Sequence, residues 1–461
     1  MAEKLTSHSE KMGTMPVGRL LITMAAPMMV SMLTQAFYNV VDSVYVARVS
    51  EESLSALSLV FPAQNLMIGI GTGTGVGIGT LIARALGAGD NARANKIAGN
   101  SVFLMVCCWA MMFLFGLLGA ERFVCGQTDD PLIREAGVSY LRIVTMGSFF
   151  LYAEMGFNRL LQSTGLTNKS MWGQFTGAVT NIILDPFFIF GWCGLPAMGT
   201  AGAAIATVIG QIVGTTVAIA LNLRYNRELH ITLRDVLPEG RLIAAVYRIA
   251  FPSILMMAVG SVMNYMMNGI LISFTATAVA VFGVYFKLQS FAFLPVFGLN
   301  NAMIPIIGYN YGARDRERIY SALRYSVLFA VSFMLLAMLI FQLFPRTLLG
   351  LFNASGNMLA IGVPALRRIS MCFIFAGFCI VSGSACQALE MPMASLITSI
   401  LRQVVVLVPA AMLLARSGDV SMVWWAFPIA EVMSLLASAF FLRRALRKLD
   451  RHFAETAEVQ A

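Results

Sequence analysis

Asp42 and Asp185 carry the chemistry that stands out in this chain. Each is a carboxylate in the middle of an otherwise apolar stretch, QAFYNVVDSVYV from Gln35 to Val46 and NIILDPFFIF from Asn181 to Phe190. An ionisable group inside hydrocarbon costs roughly 2.5–3.5 kcal/mol on insertion scales, so it is kept for a partner, a cavity or a function. Asn39 lies three residues before Asp42 and Asn181 four before Asp185, so in a helix each carboxylate shares its face with an amide. Two carboxylates facing one site repel each other, and uptake of a proton or small cation relieves both that repulsion and the cost of burial. The plainer role is that each only accepts hydrogen bonds inside a bundle. Pro186 follows Asp185 directly. A proline inside a helix clashes with the carbonyl four residues back, here that of Ile182, and bends the helix beside the acid.

The other residue types that carry chemistry are less promising. The run GIGTGTGVGIG from Gly69 to Gly79 has its glycines at alternate positions, which no G-x-G-x-x-G pattern satisfies, and no Lys-Ser/Thr follows to make an ATP-binding loop. In a helix it makes two small-xxx-small chains, Gly69/Gly73/Gly77 and Gly71/Gly75/Gly79, suited to close helix contact. The three histidines, His8, His230 and His452, fall in tails or a linker, which argues against a membrane metalloprotease or a His-dependent acyltransferase. Seven cysteines show no metal-ligand spacing, and Cys372, Cys379 and Cys386 recur every seven residues as packing residues would. No metal centre, cofactor or enzymatic activity is expected.

What must position the two acids is membrane. With 58% hydrophobic and 12% charged residues and a mean hydropathy of +0.77, the chain is far more apolar than a soluble domain. Lengths of about 20 apolar residues per crossing predict twelve spans, at 20–46, 55–82, 97–119, 136–161, 171–191, 200–222, 249–274, 279–307, 322–344, 363–388, 394–415 and 422–442. The first twenty residues lack the pattern of a cleaved signal peptide. Lys and Arg collect in alternate loops with the N-terminus: Lys4, Lys11 and Arg19, then Arg84, Arg93 and Lys96, Arg224 to Arg241, Arg314 to Arg318, and Arg443 to Arg451. By the positive-inside rule both termini are cytoplasmic. The net charge of +9 is thus a topology signal rather than a nucleic-acid surface.

The polar stretch LRYNRELHITLRDVLPEGRL interrupts the chain at its midpoint, and an ungapped comparison across it finds an internal repeat at an offset of 225. Pro27 meets Pro252, Asn39 meets Asn264, Gln64 meets Gln289, and Gly87-Ala88-x-Asp90 meets Gly312-Ala313-x-Asp315; Arg142 with Arg367 and Gln162 with Gln387 continue it. Six spans per half make the repeat parallel, an arrangement of secondary transporters whose substrate lies between rocking bundles. The expected fold is an all-α integral membrane protein of twelve transmembrane helices in two pseudo-symmetric six-helix bundles around a central cleft. Its parts are a first bundle at 1–222, a linker at 223–246, a second bundle at 247–442 and a basic tail at 443–461. The acids belong to one half alone, since Met267 and Ala410 stand at the positions of Asp42 and Asp185.

Other polar residues inside the spans need places. Glu154 and Glu431 are either interfacial or functional. Lys287 and Arg402 either hold the second bundle together or face the central cavity. With Asn39, Gln64, Asn264 and Gln289 they are the polar candidates for a substrate cavity, and some of the 30 methionines and 32 phenylalanines would suit apolar or cationic ligands there.

The segments FYNVVDSVYV, ARALGAGD, NIILDPFFIFG, GTAGAAIAT, FGVYFKLQSFAFLPVFGLNNAMIPIIGYNYGARD and WWAFPIAE resemble the MATE (multidrug and toxic compound extrusion) family, in particular its MepA-like, DinF-type bacterial members. The resemblance runs over nearly the whole chain. It implies a monomeric exporter of amphipathic, often cationic, drug-like compounds in the bacterial cytoplasmic membrane, exchanging them for protons or sodium. It also implies that the coupling ion, H+ or Na+, is bound by residues matching Asp42, Asn181, Asp185 and Thr207. The acids that a sodium-coupled branch carries in its seventh and tenth helices are absent here, which favours a site in the first bundle. The rivals are a lipid-intermediate flippase of the same superfamily and a metabolite exporter. The flippase calls for a more cationic cavity and often extra spans.

Overall fold

The computed structural model describes residues 9–352 and 354–460; Lys4 and His8 lie outside them. Among the described residues the secondary structure is helix and turn, with no strand. The long helices are α1 (Val17–Ala47), α2 (Glu51–Gly87), α3 (Asn91–Leu118), α4 (Pro131–Met146), α5 (Ser148–Ser163), α6 (Thr167–Phe190), α7 (Gly199–Tyr225), α8 (Gly240–Ile272), α9 (Ala276–Gly312), α10 (Arg316–Leu343), α11 (Gly356–Ser370), α12 (Phe373–Ala388), α13 (Pro392–Ile400), α14 (Val408–Ala415) and α15 (Ala426–Gln460). A π-helical segment, Leu401–Leu407, joins α13 to α14.

Nine helices among the described residues are long and apolar enough to cross a membrane, counting α13 to α14 as one, and the pair α11 and α12, bent by 50°, makes a tenth. The two expected spans that do not qualify alone are 136–161, broken at Gly147 between α4 and α5, and 171–191. The latter lies in α6, whose first half, TNKSMWGQFTG, is polar. The last helix does not stop at the membrane edge expected near 442. It runs on to Gln460, so the basic tail continues the span.

The repeat is carried by backbone as well as by sequence. Ser50 caps α2 by accepting from the Ser53 amide at 3.1 Å, and Thr275, 225 residues on, caps α9 through Ala278 at 3.1 Å. Asp90 and Asp315 do the same for α3 and α10, accepting from the Arg93 and Arg318 amides at 2.9 and 3.0 Å. Left-handed residues recur at the same offset: Gly89 (φ 74°) with Arg314 (58°), Gly165 (79°) with Glu390 (63°), and Cys193 (57°) with Gly418 (76°). In each pair one member is glycine and the other is not.

The chain divides into two compact units, Met1–Met15 with Ala26–Ile254, and Pro16–Ala25 with Leu255–Ala461. One division, between Met15 and Pro16, precedes α1; the other two fall inside α1 and α8, near Pro27 and Pro252.

In the first unit the glycine run of α2 packs against two helices. A Cβ at Gly71 or Gly75 would meet Met155 and Arg159 of α5 at 2.5 and 2.9 Å. At Gly73 or Gly77 it would meet Ile254 and the Val246 carbonyl of α8 at 2.6 and 2.5 Å. Alternate glycines thus serve alternate neighbours, and since lipid removes the hydrophobic drive between helices, such close approach is what holds them. The midpoint linker is docked on α3. A Cβ at Gly99 would lie 2.4 Å from the Asp235 carbonyl. The buried Asn100 donates to the carbonyls of Asp235 and Leu237 at 3.1 and 3.3 Å and accepts from the Glu239 amide at 2.8 Å.

In the second unit the start of α1 packs through Gly18 on Tyr325, 3.6 Å from a Cβ built there, with Leu20, Leu21 and Met24 buried.

Candidate functional site

Helices α1, α6 and α7 bring the proposed coupling residues together inside the first unit. Asp185 and Asn181 are one turn apart on α6, and both are buried. The Asn181 side-chain amide donates to Asp185 Oδ1 at 3.3 Å and to Thr207 Oγ1 on α7, also at 3.3 Å; the Thr207 hydroxyl donates to the Ala203 carbonyl at 2.9 Å. The crossing of α6 and α7 is tight: a Cβ at Gly210 would sit 2.8 Å from the Gly177 carbonyl. Asp42 on α1 is 8% exposed and interacts electrostatically with Asp185.

Three oxygens at this place are buried with no hydrogen-bond donor: Asp42 Oδ1, Asp185 Oδ2 and Asn181 Oδ1. Buried acceptors are ordinarily satisfied, and a group of three on two carboxylates and an amide is a donor set for a proton or a hard cation such as sodium. Thr207 orients Asn181 rather than adding another open oxygen.

Two tyrosines that no sequence motif marks also belong here. Tyr38 interacts electrostatically with Asp42, Glu154 and Asp185, and Tyr140 with Asp42, Tyr38 and Asp185. Tyr38 stands four residues before Asp42, so helical spacing was its available signal. Tyr140 had none, because α4 reaches the site only through the tertiary fold. Gln64 is drawn in through it, donating to the Tyr140 hydroxyl at 2.8 Å. Glu154 lies at the α6–α7 crossing, 2.8 Å from a Cβ built on Gly214. Asn39, by contrast, is exposed although it shares a face with Asp42.

The remaining candidates lie in the second unit. Arg402, in the π-helical segment, pairs with Glu431 of α15 at 3.3 Å, and Glu431 Oε1 is buried without a donor. At the 225-residue offset these two positions correspond to Gly177 and Ala206, on the helices that the Asn181–Thr207 bond joins in the first unit. Arg402 thus has its ion-pair partner within its own unit. Asn264 is half-buried with Oδ1 lacking a donor, Gln289 is half-buried and Lys287 is exposed.

The MatE family model matches the chain twice, over residues 27–187 and 252–413, with starts 225 residues apart. The chain is 27% identical over 450 residues to a FAD transporter of Shewanella oneidensis, covering 96% of this chain and 98% of that protein. It is 24% identical over 444 residues to the multidrug export protein MepA of Staphylococcus saprophyticus, with 94% and 95% covered. Among solved structures it is similar to the outward-facing conformation of a multidrug resistance MATE family transporter of the MOP superfamily, with a TM-score of 0.90, 25% identity, and 96% and 98% of the two chains covered. It is equally similar to a MOP superfamily transporter from Pyrococcus furiosus, with a TM-score of 0.89, 25% identity, and 95% and 98% covered. This likeness accounts for the two spans too polar or broken to stand alone, so the chain is an all-α, multi-pass membrane protein of twelve transmembrane helices in two bundles. The family model covers more than half of the residues in two matches at the repeat offset, and the chain belongs to the MatE family of membrane transporters.

Proposed function

We propose that this protein is a secondary active multidrug efflux antiporter, exporting amphipathic, often cationic organic compounds in exchange for protons or sodium. We place it in the bacterial cytoplasmic membrane with both termini cytoplasmic. The observation that carries the reading is the cluster of Asp42, Asn181 and Asp185, three buried side chains whose open oxygens include those of two carboxylates. Relatives named as multidrug export proteins support the substrate class.

In the exchange, Asp42, Asp185 and Asn181 hold the coupling ion, with Thr207 fixing the amide. With the site empty, two negative charges face each other in an apolar surrounding; loading removes that repulsion. The first bundle therefore has two states that differ in charge, and a conformational preference follows only from such a difference in interaction energy. Pro186 lets α6 respond, because the helix lacks one backbone hydrogen bond beside Asp185. A membrane potential adds about 2.3 kcal/mol per charge per 100 mV.

Drug-driven proton release from everted vesicles, measured with and without sodium, tests this reading. Alkalinisation of the lumen on drug addition in sodium-free buffer supports proton exchange, a response only with sodium supports sodium exchange, and no response to any cationic dye overturns the proposal.

A second reading is favoured by the flavin-dinucleotide transporter among the relatives, 27% identical along the whole chain. Under it the same ion exchange drives export of an anionic metabolite, and FAD accumulates in the medium of expressing cells while dye efflux is unchanged.

A further inference from the structure

We propose that the far end of α15 is a binding site for the headgroup of an anionic phospholipid. The stripe begins with Leu436, Ala439 and Phe440 and continues at the same three-and-four spacing through Arg443, Arg444, Arg447, Lys448 and Arg451. It is therefore one face of one helix, apolar at first and wholly cationic afterwards. Leu436 and Phe440 are 61% and 60% exposed, and the five cations are exposed as well. The opposite face, Leu442, Ala445 and Leu449, is buried, which fixes the stripe outward.

Two further observations make this more than a run of positive charge at a membrane edge. The stripe and Met391, from the turn before α13, line a shallow, open groove of about 940 Å³, so the cations border a common concavity. The acid next to them in sequence, Asp450, does not neutralise it, because both its oxygens are held by Arg316, at 2.7 and 3.1 Å, and by Tyr320. With Glu390 beside Met391 counted, the groove keeps a net positive charge. Guanidinium groups pair with phosphate through two parallel hydrogen bonds, and clusters of four to eight Lys or Arg just outside a span attract anionic lipid. The ligand that fits an apolar strip running into a cationic groove has acyl chains along Leu436 and Phe440 and a phosphate among Arg443, Arg444 and Arg447.

The test uses the purified full chain in mixed lipid–detergent micelles. Retained lipid is counted by native mass spectrometry with phosphatidylglycerol and phosphatidylcholine of matched acyl chains. The expected result is a preference for phosphatidylglycerol of about tenfold or more. It is lost in the triple variant Arg443→Gln, Arg444→Gln, Arg447→Gln, largely kept when the same residues become Lys, and kept in a control triple at Arg224, Arg227 and Arg234. Should the glutamine triple fail to fold, Arg447→Gln alone is expected to lose about fivefold. Absence of a preference in the parent protein, an equal loss in the control triple, or glycerol phosphate displacing the lipid at equal concentration would each overturn the proposal.

Discussion

The amide of Asn181 donates to Asp185 and to Thr207 at the same distance, 3.3 Å. Both of its hydrogens are thereby committed, so its oxygen is left open in the same buried place as Asp185 Oδ2 and Asp42 Oδ1. An amide held in this way presents an acceptor beside two carboxylates. The arrangement supports binding of a cation or proton.

Asp42→Asn and Asp185→Asn are each expected to lower ion-driven dye export in everted vesicles at least tenfold, with protein level unchanged. Thr207→Ala, which frees Asn181 to rotate, is expected to lower it by a smaller factor, about two to ten. If both asparagine variants pump as the parent does, the coupling assignment is wrong.

Arg402 and Glu431 make a prediction about stability. Breaking a fully buried pair costs about 3–5 kcal/mol, but Arg402 retains 30% of its side-chain exposure, so solvent screening reduces the cost of Arg402→Gln or Glu431→Gln to about 1–2 kcal/mol. Replacing both by apolar residues, Arg402→Met with Glu431→Leu, is expected to recover most of it. Thermal unfolding in detergent reads all three variants.

The glycine run predicts a graded series. Gly77→Ala puts a methyl group 2.5 Å from the Val246 carbonyl, whereas Gly79→Ala has its nearest neighbour, Arg159, at 4.0 Å. Overpacking costs about 1–3 kcal/mol, so the first variant should lower the melting temperature clearly and the second hardly at all. Equal effects would show that the run is not a packing seam.

Arg314 holds a left-handed backbone that its repeat partner Gly89 adopts without a side-chain clash. Arg314→Gly is expected to stabilise the protein by about 1 kcal/mol, less what the unfolded glycine gains in freedom. The reciprocal Gly89→Ala is expected to destabilise it by a similar amount. Both shifts are measurable by thermal denaturation.

The linker carries a pH dependence of known sign. Thr232 donates its hydroxyl and its amide to Asp235 at 2.6 and 2.9 Å, which, with Lys96 nearby, holds that carboxyl below the usual carboxylate range. A depressed carboxyl contributes stability that is complete above its unfolded value and lost as pH falls through the lower folded one. Hydrogen exchange at the Thr232 amide should therefore stay protected at neutral pH and open only in acid. Asp235→Asn should leave the amide without that acid-induced opening.

Much of this was legible beforehand because membrane protein sequences expose their constraints. A carboxylate in hydrocarbon needs a reason, and Asp42 and Asp185 met that test in one dimension before they met Asn181 in three. The repeat also showed where equivalent turns kept the same side chain, as at the caps Asp90 and Asp315. Tyr140 and the pairing of Arg402 with Glu431 were hidden, because each depends on which helices cross. Hydropathy gives 136–161 and 363–388 as continuous spans, since it registers apolar length and is blind to a turn at Gly147 or Met371.

The division of the two units beside Pro27 and Pro252 has a consequence for synthesis. Residues 16–25 are translated before residues 26–254 of the first unit, yet they belong with a unit whose other residues all follow residue 254, while the first unit is incomplete until residue 254 has been made. A ribosome that stalled in the linker would leave two unfinished bodies rather than one folded half. Coexpressed fragments cut there must exchange segments to reassemble.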